Sequence, residues 1–214
     1  MTARVVPDDP TGRAEAVTVL RAGGIVALPT DTVYGIGVAL DTPGGIERLF
    51  AAKRRPPDKG IMLLLHDAAQ AGEIGVMTPA AAALAAACWP GGLTVVVPQR
   101  PEVDLPVALT GGAPTIGLRV PHHDAPRTLA RGVGPLPVTS ANVSGLPEAA
   151  DAAGIVAQLG GAVDLILDGG PAHGGPASTV VDCTGDRPSV LRVGAVAVEH
   201  IVDILAGIGI TLAR

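Results

Sequence analysis

Residues 53–66 read K-R-R-P-P-D-K-G-I-M-L-L-L-H, and the reading of this stretch governs the reading of the rest of the chain. It gathers four of the 15 Lys and Arg residues into seven positions, with Pro56 and Pro57 directly after Arg55. It then enters the apolar run 61–65 and stops at His66. A short continuous apolar run predicts a central strand buried on both faces. Residues 42–53, with Ile46, Leu49 and Phe50 at helical spacing, predict a helix leading into the turn. A basic turn at a helix end has a plain reading, a solvated C-terminus favoured by the helix dipole. The two prolines weigh against it, because they hold the backbone rigid where the cations leave it.

On the N-terminal side, residues 8–24 predict a helix with Thr11 as N-cap, followed by strands over 25–29 and 33–40 around the polar break Pro29-Thr30-Asp31-Thr32. Gly35 and Gly37 inside a strand mark a close approach by another backbone or a ligand. On the C-terminal side, helices are expected over 68–74 and 78–88, the second capped by Thr78, and a strand over 93–97. The Pro/Gly-rich residues 98–114 read as a lid or binding loop. Strands over 115–120 and 136–139 flank a helix over 124–131. A helix over 148–159, a strand over 163–167, a glycine-rich loop over 169–177, strands over 178–182 and 189–193 and a helix over 198–205 complete the pattern. Strands and helices are interspersed, but two hairpin-like connections break a strict βαβ rhythm. The expected fold is α/β, one domain over 1–214, with a twisted, mixed and largely antiparallel sheet and flanking helices.

Hydrophobic residues make up 48% of the 214 and charged ones 16%, enough for a core and too apolar for disorder. The net charge of -5 counts against a protein that coats nucleic acid. Tyr34, Phe50 and Trp89 are the chain's aromatics, too few for base-stacking platforms. Cys88 and Cys183 lie far apart and form no C-x-x-C, which counts against a disulfide framework or a zinc site and points to a reducing compartment. With no signal-like N-terminus and no apolar run of about 20 residues, the expectation is a cytoplasmic protein with no membrane contact. P-loop, dinucleotide-binding and nucleophile-elbow patterns do not occur.

The remaining polar signals collect where apolar strands end: Thr30 and Thr32, Lys53, Arg55 and Lys59, His66, Arg119, Thr139, Ser140 and Asn142, Ser178, and Arg192. A guanidinium in an apolar strand is costly unless paired. Arg119 and Arg192 are therefore expected to meet an anionic ligand through their planar forks or, with equal weight, a protein carboxylate. His66 alone is more often structural, and Ser140, Asn142 and Ser178 taken singly fit ordinary cap and strand-start roles.

Taken in order, seven runs resemble the YrdC-like threonylcarbamoyl-AMP synthase family. They are L-P-T-D-T-V-Y-G-I-G (28–37), K-R-R-P-P-D-K-G (53–60) with His66, W-P-G-G-L-T (89–94), T-I-G-L-R-V-P (115–121), T-S-A-N-V-S-G (139–145), S-T-V-V-D (178–182) and L-R-V-G (191–194). The resemblance implies the YrdC-like (DHBP synthase-like) fold around a deep, positively lined cleft. It implies formation of threonylcarbamoyl-AMP and pyrophosphate from L-threonine, bicarbonate and ATP, with Mg²⁺ accompanying the nucleotide. Downstream tRNA-threonylcarbamoyl transfer proteins would use the product. By the same resemblance Lys53, Arg55, Ser140, Asn142 and Arg192 hold the nucleotide, with Lys53 and Arg55 catalytic. Thr30, His66, Arg119, Thr139 and Ser178 hold threonine and its carbamate, and Thr32 and Lys59 lie nearby. The chain resembles the short, single-domain form. A related carbamoyl-adenylate or carbamoyltransferase enzyme, and an RNA-binding module using the basic cleft, are the alternative readings.

Overall fold

Chain order in the computed structural model, which describes residues 3–56, 60–172 and 175–213, alternates strands with helices almost throughout. β1 (Arg4–Pro7) and α1 (Pro10–Arg21) precede the hairpin β2 (Val26–Leu28) and β3 (Gly35–Gly37). α2 (Gly45–Lys53) leads to β4 (Met62–Leu64), and α3 (Ala71–Ile74) and α4 (Pro79–Cys88) lead to β5 (Leu93–Pro98). Then come α5 (Val107–Thr110), β6 (Thr115–Arg119), α6 (Asp124–Val133), β7 (Leu136–Ser140), α7 (Ala152–Leu159) and β8 (Leu165–Asp168). The hairpin β9 (Thr179–Asp182) and β10 (Ser189–Arg192) and the helix α8 (Val198–Ala206) follow.

The strands form one ten-stranded sheet in the order β1-β8-β2-β3-β7-β4-β6-β5-β9-β10. Five of its pairings are antiparallel and four parallel, as the interrupted βαβ rhythm predicts. β4, the apolar run after the basic turn, is central, paired on one side with β7 and on the other with β6.

Caps set several helix boundaries. Asp9, not Thr11, begins α1: its carboxylate accepts the Gly12 N–H at 2.8 Å, with Pro10 in the first turn. Thr78 caps α4 as expected. Asp151 caps α7 through Gly154, so that helix starts at Ala152 and residues 148–150 stay in the preceding loop. The 98–114 segment contains the short helix α5, whose Leu109 is fully buried. β1 lies outside the expected elements. It is a four-residue edge strand whose partner, β8, follows some 160 residues later, so no local pattern announces it.

Alternation along the strands sorts side chains to two faces. One face carries Ala27, Ile36, Leu63, Val95, Leu118 and Val181, packed in a cluster with residues of α2, α4, α7 and α8. The other carries Val26, Leu28, Leu64, Val138, Leu165 and Leu167, which Ala16 and Leu20 of α1 and Ala125 and Leu129 of α6 cover. Gly35 and Gly37 belong to this second face. A Cβ at either would stand 2.5 or 2.9 Å from a methyl group of Val138, so both glycines make room for a neighbouring strand rather than a ligand. Beyond β4 the same face, through Thr94 and Val96 of β5, Thr115 and Gly117 of β6 and Val180 of β9, borders a cleft. The cleft is thus the part of this face that α1 and α6 do not reach. No helix among the described residues is long and apolar enough to cross a membrane.

Candidate functional site

The cleft has a volume of about 340 Å³. Arg55, Arg119, Thr139, Ser140, Ser178 and Arg192, all predicted from the sequence, line it. A second cavity of about 210 Å³ shares Arg55 and Ser140 and adds Lys53 and Asn142. Eight of the ten site residues therefore converge on two adjoining spaces. Thr30 and His66 line neither. Thr30 is buried behind the wall, with its hydroxyl donating to Val33 O at 2.7 Å and 3.1 Å from the Thr32 hydroxyl. Thr32 itself lines the cleft. His66 stands beyond the C-terminal end of β4, its Nδ1 3.0 Å from Gln70 Oε1 and its Nε2 3.0 Å from Asp67 Oδ2. Lys59 lies outside the described residues.

The basic turn is built by the end of α2. Arg54, the C-cap, takes the left-handed conformation at φ +52°, an unusual and costly choice for a residue with a Cβ. It reverses the chain so that Lys53 and Arg55 reach the same region. Arg55 lies over the Phe50 ring at 5.6 Å and donates to Gly60 O at 2.9 Å, tying the turn to the start of β4.

Lys53 is only 2% exposed. Its ammonium donates to the Ser140 carbonyl, to Asn142 O at 2.6 Å and to Asn142 Oδ1 at 3.3 Å. Three acceptors match its three hydrogens. Ser144 N returns a bond to Lys53 O at 2.9 Å, and Ser140 Oγ donates to Asn142 Oδ1 at 2.6 Å. Lys53 thus anchors the Ser140–Ser144 loop from below, at the edge of the second cavity. Burial first, and the neighbouring Arg55 second, lower its pKa to about 8; Glu148 works in the opposite direction.

Arg119 ends β6 and is 2% exposed. Nε donates to Gly91 O at 2.9 Å, Nη1 to the Thr32 hydroxyl at 3.0 Å and Nη2 to Asp31 Oδ1 at 2.7 Å. The carboxylate reading of this arginine is the one the structure bears out: it pairs with Asp31, at the edge of the cleft that it also lines. Burial lowers its pKa below the usual arginine value, and Asp31 offsets only part of that. Three of its five donors are engaged among the described residues, which leaves one hydrogen on each terminal nitrogen for a ligand. Arg192 grips the opposite wall, Nε to Ser178 O at 3.0 Å and Nη2 to Ser178 Oγ at 3.1 Å.

Asp31, Thr94, Gly117 and Glu148 escaped the sequence reading. A buried arginine required a carboxylate, but not a particular one among 20 acidic residues. Glu148 is the one carboxylate among the described residues lining the cleft, placed there because α7 starts later than its sequence suggests. Gly117 lies on the floor, where a Cβ would meet Met62 and Thr94 at an ordinary 3.4 Å. Gly117→Val should therefore be accepted by the sheet, for which valine is well suited, while its branches fill the cleft. The expected result is at least about a tenfold loss of substrate affinity with little change in thermal unfolding.

The sequence profile of the Sua5/YciO/YrdC family, described as telomere recombination, matches residues 18–194. The chain is 40% identical over 195 residues to a Mycobacterium tuberculosis protein provisionally named threonylcarbamoyl-AMP synthase, covering 91% of this chain and 89% of that protein. It is 34% identical over 197 residues to the threonylcarbamoyl-AMP synthase of Bacillus subtilis, covering 91% of this chain but 57% of that one. In structure it resembles P. abyssi Sua5 complexed with L-threonine, with a TM-score of 0.88 and 31% identity over 99% of this chain and 62% of that chain. The chain thus spans less than two thirds of the Bacillus and Pyrococcus proteins. E. coli YciO matches with a TM-score of 0.82 and 29% identity over 93% of this chain and 98% of that chain. Profile, identity and fold agree over nearly the whole length, and the chain belongs to the Sua5/YciO/YrdC family.

Proposed function

We propose that this protein is an L-threonylcarbamoyladenylate synthase, a nucleotidyltransferase that joins L-threonine, bicarbonate and ATP and releases pyrophosphate. The observation that carries this reading is the convergence of Lys53, Arg55, Arg119 and Arg192 on one cleft system whose described lining holds a single carboxylate, Glu148. Such a site suits a reaction between two anions. The threonine nitrogen takes up bicarbonate carbon with loss of water to form a carbamate. A carbamate oxygen then attacks the α-phosphorus of ATP, and the bond to pyrophosphate breaks. Fixed cations neutralise both partners and hold them in line, so positioning and electrostatics carry the catalysis. Arg55, Arg192 and the Lys53-anchored loop with Ser140 and Asn142 serve the nucleotide. Arg119, Thr139 and Ser178 serve threonine and its carbamate, with Thr30 acting through Thr32. His66 would reach the threonine only if its bonds to Asp67 and Gln70 open.

Magnesium would come with the phosphates. One lining carboxylate beside a polyphosphate is a donor set that magnesium accepts, since it keeps most of its water and few protein ligands. Its part is to neutralise phosphate charge. The continuous sheet from β1 to β10 supports treating 1–214 as one working unit. The reading places the protein in the cytoplasm, supplying an activated threonylcarbamoyl group to tRNA-modifying transfer proteins.

The test is pyrophosphate release from ATP, with threonine and bicarbonate omitted in turn. Release should require both. Release that continues unchanged without threonine would overturn the proposal.

A further inference from the structure

Thr94 lies on the cleft floor, 3% exposed and surrounded by Met62, Val96, Gly117 and Val180. Its hydroxyl is 2.9 Å from Ser178 Oγ and 3.5 Å from Met62 Sδ. The register explains the meeting: parallel β5 and β9 pair Thr94 with Val180, and Ser178 is two residues earlier on the same face. Ser178 is 1% exposed and also receives the Arg192 Nη2 hydrogen at 3.1 Å.

Donor counting restricts what these groups can do. A hydroxyl has one hydrogen and two acceptor sites, and arginine can only donate. Arg192 fills one acceptor site of Ser178. Two arrangements remain. In the first, Ser178 donates to Thr94 and Thr94 donates to the Met62 sulfur, a weak acceptor. In the second, Thr94 donates to Ser178, filling its other acceptor site and leaving the Ser178 hydrogen for the cleft. An anionic group in the cleft selects the second arrangement, because it gives the hydrogen a strong acceptor and gives up only the sulfur contact.

We propose that Thr94 is a positioning residue that turns Ser178 into a hydrogen-bond donor toward an anionic substrate oxygen, with Met62 Sδ taking the Thr94 hydrogen until that oxygen arrives. The inference rests on the proposed function for the identity of the anion, the threonine carboxylate or its carbamate. It makes the floor selective for acceptors, since in the second arrangement both acceptor sites of Ser178 are filled.

The experiment compares wild type with Thr94→Val, Thr94→Ser and Met62→Leu. Threonine is titrated at saturating ATP in the pyrophosphate assay, and ATP affinity is measured separately by calorimetry without threonine. Thr94→Val should raise the threonine KM about tenfold and leave ATP affinity within about twofold, the scale of one lost hydrogen bond to a charged group. Thr94→Ser should restore the threonine KM, and Met62→Leu should leave it at or below the wild-type value. An unchanged KM in Thr94→Val, an equal loss of ATP affinity, or no rescue by a folded Thr94→Ser would overturn the inference. Should Thr94→Val not fold, a raised threonine KM in Met62→Leu overturns it alone. Threonine-independent release by the wild type would instead refute the proposed function, so the two failures are distinguishable.

Discussion

Arg119→Lys is expected to lower kcat/KM for threonine by at least about a hundredfold while the protein stays folded. The reason is geometric. One guanidinium spans Asp31, Thr32 and the Gly91 carbonyl and keeps a hydrogen on each terminal nitrogen. A lysine ammonium preserves the charge opposite Asp31 but cannot meet three partners in three directions and still present a fork to a carboxylate. The replacement leaves buried groups unpaired, at a cost of about 1–3 kcal/mol, which thermal unfolding would register as a shift of several degrees. Steady-state kinetics with threonine varied at saturating ATP provide the check. A near-normal kcat/KM would remove Arg119 from the substrate side of the cleft.

Lys53→Met should produce a second large loss, this time in the nucleotide. The carbonyls of Ser140 and Asn142 lose their common donor, the loop carrying both side chains loses its anchor, and a positive charge disappears beneath it. An effect of about 1.5–3 kcal/mol, or ten- to a hundredfold in ATP affinity, is the scale of a charged hydrogen bond. The pH dependence separates charge from packing. With a pKa lowered to about 8 from the usual 10.5, Lys53 in the folded chain releases its proton before the unfolded chain does. Between those values the unfolded state holds more protons, so this group makes stability rise with pH. Its burial penalty is felt in full below about 8 and is relieved by 10.5. A bound polyphosphate favours the protonated amine, so wild-type ATP affinity should fall as pH rises through about 8, with proton uptake on binding. Lys53→Met should lack that step. Calorimetry in buffers of different ionisation enthalpy measures both quantities, and a pH-independent wild type would exclude a titrating Lys53.

Much of this site is written into the order of the chain. Apolar runs locate β4, β5 and β6, and the Thr78-Pro79 pair starts α4 where it reads. Chemistry at strand ends names eight residues that line the two cavities. The two misplaced helix starts share one cause, competition between local signals. Asp9 outcompetes Thr11 as a cap because it stands directly before Pro10 and carries a carboxylate. Asp151 does the same three residues past Glu148, and the displaced helix start leaves Glu148 at the cleft. Gly35 and Gly37 signal a close approach correctly, and of the two candidates, a backbone or a ligand, the fold supplies the neighbouring strand β7.

By itself, the sequence determined which segments are strands, β1 excepted, where most helices begin, and which residue types stand ready for two anions. These follow from short-range physics: side-chain period, cap chemistry and the stiffness of proline. The tertiary structure alone decided that α1 and α6 stop short of β6, β5 and β9, which opens the cleft. It decided that Arg119 meets Asp31 across 88 positions, that Thr94 meets Ser178 across 84, and that Lys53 spends its hydrogens on a loop 87 and 89 positions away. Partners that distant are chosen by sheet order and register. The basic turn that announces the site is therefore half hidden by the fold, with Lys53 beneath the loop and Arg55 beside the cleft.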